Sequence, residues 1–191
     1  QYMAIFDQYY EKYHGNIKGA DDKKKKRRIS SSSVKILRIC TNINAELTQK
    51  QKVIVLFRLL EFIGSEGDID GQELDFVATV SSTFNIDDQE FLRFLTFVRS
   101  TRKDAQDSDH VLVVNQIVAP GLERAHHIYI DGFQGELRFL SVASVGLYVF
   151  RYLGKDTVFI NGQPVRSNQV NTFSSGSTLR GSGNTAIYYS D

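Results

Sequence analysis

The chain reads as α+β with its two kinds of structure segregated: an all-α helical bundle followed by an all-β antiparallel sandwich. Three observations predict this. Apolar residues recur with a helical period from Val34 to Arg99 and with a period of two from His110 onward. Three capping boxes announce helix starts in the first part. Short β-branched or aromatic runs, separated by glycine-bearing turns, fill the second.

The elements follow in order. Ile5, Phe6, Tyr9, Tyr10 and Tyr13 recur at spacings of three and four, which predicts an amphipathic helix within residues 1–20, read as the end of a preceding helical unit. Residues 21–33, "DDKKKKRRISSSS", have no apolar period and read as a solvated linker. Thr48 with Gln51 forms a capping box and predicts a helix over 49–64. That segment is apolar almost all round, as in a helix at the centre of a bundle. Asp70 with Glu73, flanked by Ile69 and Leu74, predicts a helix over 71–84. Asp87 with Glu90, flanked by Ile86 and Phe91, predicts another over 88–100. No strand is expected before residue 108. Beyond it, segments such as "HVLVVNQIV", "GELRFLSV" and "VGLYVFRYL" read as strands, and Asn161-Gly162 in "FINGQPV" is a hairpin turn. The helical domain is expected over 34–103 and the sandwich over 108–191.

Composition narrows the function. Lys plus Arg is 23 and Asp plus Glu is 22, a net charge of +1, so the chain as a whole exerts no pull on nucleic acid and none is expected as a partner. Cys40 is the sole cysteine, which excludes an internal disulfide and a thiolate zinc cluster. No apolar run approaches the roughly 18 residues of a membrane span. The chain starts at Gln1 and stops at "TAIYYSD" without a closing turn, so it is expected to be a fragment of a longer polypeptide.

The acidic stretch "GSEGDIDGQE" invites comparison with a calcium loop. With Gly71 at the sixth position, Glu66, Asp68 and Asp70 fall on positions one, three and five. Position twelve is Val77, which has no oxygen, and Glu73 is the capping partner of Asp70. A structural turn is therefore expected and no metal site, with Glu66, Asp68, Asp70 and Glu73 as the only candidate ligands. His126 and His127 are neighbours on a strand, point to opposite faces, and cannot chelate one ion together. The run Lys23, Lys24, Lys25, Lys26, Arg27 and Arg28 is the one strong local charge, a candidate contact for an anionic membrane surface at about 1 kcal/mol per cation. Without interleaved aromatics it reads first as a charged linker.

Two family resemblances follow. "LLEFIGSEGDIDGQELDFVATVSSTFNIDDQEFLRFLTFV" resembles the TerB-like helical domain of tellurite-resistance proteins, over about residues 44–100. The resemblance implies an acidic surface for metal ions or partners, carried by Glu66, Asp68, Asp70 and Glu73. "DTVFINGQPV", "SSGSTLRG" and "TAIYY" resemble the closing strands of a forkhead-associated (FHA) domain, a sandwich that binds phosphothreonine. The family's Gly-Arg pair and its histidine are missing here. Arg138, Ser141, Ser144 and Arg151 are the substitutes available by proximity, Asn161 joins them as a candidate from the matching turn, and a scaffold without the ligand is expected.

There is no G-x-x-x-x-G-K-[ST], H-E-x-x-H or G-x-S-x-G. The chain is therefore expected to be no enzyme itself and to need no cofactor. Helical unit, then FHA-like sandwich, resembles the N-terminal cytoplasmic region of bacterial ABC-transporter-type ATPases. That resemblance implies a regulatory or protein-interaction segment at the inner face of the membrane. Its partners would be other proteins, or the ATPase and transmembrane domains of the same polypeptide. The alternatives are a TerB-like metal-ion-binding stress protein and a phosphopeptide-binding adaptor.

Overall fold

The structure, a computed structural model, describes residues 37–65, 67, 69–101, 108–117, 123–181 and 186–189. The helix expected within 1–20, the linker at 21–33 with its basic run, and Glu66 and Asp68 lie outside the described residues. Among those described, helices come first and strands second. The chain forms two compact units that meet in sequence between Phe91 and Leu92.

In the first unit, α1 covers 37–46, α2 Gln49–Gly64 and α3 Gly71–Thr83; α4, Asp88–Arg99, begins there and continues into the second unit. The local chemistry matches the sequence expectation. Thr48 N–H donates to Gln51 Oε1 at 2.9 Å, and Gln51 N–H donates back to Thr48 Oγ1 at 3.4 Å. Asp87 Oδ1 accepts from the amides of Gln89 and Glu90. The buried residues of α2 are Lys52, Val53, Leu56, Phe57, Leu60 and Ile63, one stripe at helical spacing. Val55 is at the margin of exposure and Phe62 is 69% exposed, so α2 is not enclosed on every side by the described residues. Its uniformly apolar sequence hides this, because periodicity cannot assign a face when every face is apolar.

The described residues of the second unit form two sheets. The strands are β1 Val111–Asn115, β2 His126–Tyr129, β3 Glu136–Val142, β4 Leu147–Leu153, β5 Val158–Ile160, β6 Gln163–Val165, β7 Val170–Phe173, β8 Thr178–Arg180 and β9 Ala186–Tyr188. A five-stranded sheet has the order β2-β1-β3-β4-β7 and a four-stranded sheet the order β6-β5-β8-β9. Val114, Leu137, Phe139, Phe150, Tyr152 and Phe173 from the first share one core with Val158, Val165 and Leu179 from the second. Phe139, Phe150 and Phe173 pack with ring centroids 5.2 to 6.0 Å apart, within the range that favours tilted and edge-on contacts.

One pairing departs from the antiparallel expectation. β2 runs parallel to β1, with Val113 opposite His127 and Asn115 opposite Tyr129. Parallel neighbours cannot be joined by a tight hairpin, and residues 116–125 intervene. The expected hairpin at Asn161-Gly162 is present between β5 and β6. Both residues have positive φ, 49° and 83°, as the tight turns that suit strand twist require.

Candidate functional site

The acidic turn is built as a helix cap. Asp70 Oδ1 accepts hydrogen bonds from the amides of Gln72 and Glu73, both at 2.8 Å, and Asp70 N–H donates to Glu73 Oε2 at 2.9 Å. These bonds satisfy orphan donors at the start of α3 and put negative charge at its positive end. Asp70 and Glu73, the two described members of the acidic candidate set, are thus engaged with each other and the backbone. Among the described residues no three His, Cys, Asp or Glu side chains converge as a metal site would require.

The phosphopeptide candidates occupy four different environments. Arg138 on β3 and Arg151 on β4 stand directly opposite each other on the face of the larger sheet away from the shared core, and both are buried. Ser141 belongs to the opposite face of the same strand and is half-buried. Ser144 lies exposed on a 3-10 turn, Ala143–Val145. Asn161 sits at the β5–β6 turn of the other sheet, where its Oδ1 accepts from Thr178 N–H at 2.8 Å. Arg138 and Arg151 come together; Ser141, Ser144 and Asn161 do not join them.

Two guanidinium groups opposite each other repel unless each is compensated. Arg138 Nε donates to Glu136. Arg151 Nη1 donates to the Phe97 carbonyl and, at 3.1 Å, to the Ser100 carbonyl, while Nη2 donates to Asn168 Oδ1. Its guanidinium carbon lies 5.9 Å from the centre of the Phe97 ring, within cation–π range. The C-terminal end of α4 is therefore pinned to β4 through one arginine.

Arg138 heads a buried polar chain that sequence reading did not assemble. Glu136 Oε2 accepts from Asn115 Nδ2 at 2.9 Å, and Asn115 Oδ1 lies 2.9 Å from His127 Nε2. Since the Asn115 amide donates to a carboxylate and its oxygen also receives Ile117 N–H at 3.0 Å, the His127 proton in that contact resides on Nε2. Asn115, Glu136 and Arg138 are at most 4% exposed, yet Arg138 Nη1 and Nη2 have no hydrogen-bond partner among the described residues. The available signal was Glu136 and Arg138 sharing one face of a strand whose other residues are mostly apolar.

The larger sheet has two edge strands, β2 and β7, and β2 is the one flanked by exposed apolar side chains. The outer side of β2 has no strand neighbour among the described residues, and Ile128 and Tyr129 are 46% and 58% exposed. Ile117, just past the end of β1, is 61% exposed. An edge of unpaired backbone groups with apolar side chains beside it is suited to receiving another extended segment. Nearby, the Arg124 guanidinium holds the Asp109 carboxyl below its ordinary range through a 2.8 Å hydrogen bond. In the helical unit, burial pushes the Cys40 thiol up, away from the thiolate form that reacts.

No known protein family, curated protein or solved structure matches the chain.

Proposed function

We propose that this chain is a non-catalytic regulatory and protein-interaction segment of a larger ABC-type transport ATPase. In this reading the helices form a TerB-like unit, the sheets an FHA-like sandwich that has given up phosphopeptide binding, and the segment works at the cytoplasmic face of the membrane. The observation that carries the interaction part is the open β2 edge, with Ile117, Ile128 and Tyr129 exposed beside it. Supporting the loss of phosphopeptide binding, Arg138 and Arg151 are buried among neutral and acidic protein acceptors, where a phosphate cannot reach them without opening the sheet's packed face. The ATPase part rests on the sequence resemblance.

The test is the reading frame beyond Asp191 together with the activity of its full product. A Walker motif in the continuing chain is expected, with ATP hydrolysis by the whole protein. Replacing Ile128 and Tyr129 by lysine is expected to change that rate, or its response to the transported substrate, while leaving the isolated segment folded, because both side chains are exposed. A frame that continues without a nucleotide-binding motif overturns the proposal.

A further inference from the structure

Charge is unevenly distributed along the chain. Residues 157–190 contain two arginines, Arg166 and Arg180, and no aspartate or glutamate, although the whole chain is nearly neutral. The four-stranded sheet is built from this carboxylate-free stretch. Its inner face supplies Val158, Val165 and Leu179 to the core, so strand alternation turns Phe159, Pro164, Thr178, Arg180 and Tyr188 outward. Phe159 stands directly opposite Pro164 on one side and Arg180 on the other, and Tyr188 stands opposite Thr178. Phe159 and Tyr188 are 39% and 65% exposed.

A depression of about 440 Å³ lies on this face, lined by Phe159, Asn161, Gly162, Thr178 and Arg180. Its rim is held in shape by the hairpin. Asn161 N–H donates to the Thr178 carbonyl at 2.9 Å, and Asn161 Oδ1 accepts from Thr178 N–H at 2.8 Å. The Asn161 side chain is thereby committed to the rim. The Arg180 guanidinium and the Thr178 hydroxyl engage no hydrogen bond or ion pair with a described residue. A free cation, a free hydroxyl and an exposed ring thus meet in one concavity, with no carboxylate in the surrounding stretch of chain to oppose an incoming anion.

We propose that this depression binds an extended acidic peptide segment of a partner, with a carboxylate on Arg180 and Thr178 and the neighbouring aromatic or apolar side chain on Phe159. The planar guanidinium matches a carboxylate through two parallel N–H donors. Two arginines are fewer than the about four to eight basic residues by which anionic lipid surfaces are recognised. A single cation beside a concavity is also not the positive groove that tracks a nucleic acid backbone. The proposal deepens the interaction reading above by giving a partner chemistry at a second surface, and it rests on that reading only in this sense.

The test is an NMR titration of the isotope-labelled chain with a capped peptide alternating Glu and Phe, against a control alternating Lys and Phe. Amide shifts are expected at residues 159–162 and 178–180 with the acidic peptide. Its binding should weaken several-fold as salt rises and screens the contact. Arg180→Gln is expected to weaken it about tenfold, the loss of a charge-assisted pair, with unchanged thermal unfolding because Arg180 is exposed. The inference is overturned if the Lys-Phe peptide binds equally, if Arg180→Gln binds as the parent does, if the shifts fall elsewhere, or if anionic vesicles or an oligonucleotide displace the peptide from these amides. Shifts confined to β2 would sink this inference and leave the proposed function standing. A missing Walker motif does the reverse.

Discussion

Asp70 could serve an ion or a helix, and its hydrogen bonds go to the helix. One carboxylate oxygen takes two amides at 2.8 Å, and its own amide is bound by Glu73. Asp70→Ala is therefore expected to lower stability by about 1 kcal/mol, read from the denaturation midpoint, with Asp70→Asn close to the parent. Stabilisation by micromolar calcium that vanishes in Asp70→Ala would show the ion reading to be right. A different constraint acts around Tyr152, which is fully buried and donates its hydroxyl to the Gln134 carbonyl at 2.7 Å. A Cβ at Gly154 would stand 2.2 Å from that hydroxyl, and one at Gly135 would stand 2.7 Å from the ring. Those two glycines are required by close approach, and Gly135 also by its φ of 114°.

At the scale of an element, α3 shows how a helix end is finished. Asn85 adopts the left-handed conformation, φ 53°. Its N–H bonds to the Ser82 carbonyl while Ile86 N–H bonds to the Ser81 carbonyl, the paired closure of a Schellman motif. Remaining carbonyls at Thr83 and Phe84 are met by Asn44 Nδ2 at 2.6 Å and Gln49 Nε2 at 2.7 Å. Strand β3 shows the opposite situation, a buried guanidinium with two nitrogens unmet among the described residues. Arg138→Met is expected to cost roughly 3 kcal/mol, because Glu136 then remains buried without its cation. Adding Glu136→Gln in the same chain removes that stranded charge and preserves an acceptor for Asn115. It is expected to recover at least about 1 kcal/mol of the loss. Equal stability of the single and double variants by chemical denaturation would contradict this account of the network.

For the molecule as a whole, the informative residue is Arg151. Its partners Phe97 and Ser100 precede the first strand, and the compact unit containing it begins at Leu92. A fragment spanning 92–191 keeps those acceptors; one spanning 108–191 lacks them. The shorter fragment is expected to unfold at a temperature lower by roughly 5 °C or more, since a buried donor that loses its acceptors costs about 1–3 kcal/mol. Coincident melting curves would mean that the end of α4 contributes nothing to the sheets.

The sequence by itself determined what depends on neighbours along the chain. The capping residues Thr48, Asp70 and Asp87 set the helix starts. Asn161-Gly162 set a hairpin, and the change of period separated helices from strands. Each is a matter of backbone conformation or hydrogen bonding within a few residues, so the pattern is written locally. Tertiary structure alone decided the parallel pairing of β2, the division of the nine described strands into two sheets, and the face of α2 left open at Phe62. It also decided that Arg138 and Arg151 would be buried opposite each other, joined to Glu136 and to the end of α4 rather than presented to a ligand. Alternation tells which residues share a face of a strand. Which strand lies alongside, and what covers that face, is settled by burial and by hydrogen bonds between residues tens of positions apart, for which no local spacing exists.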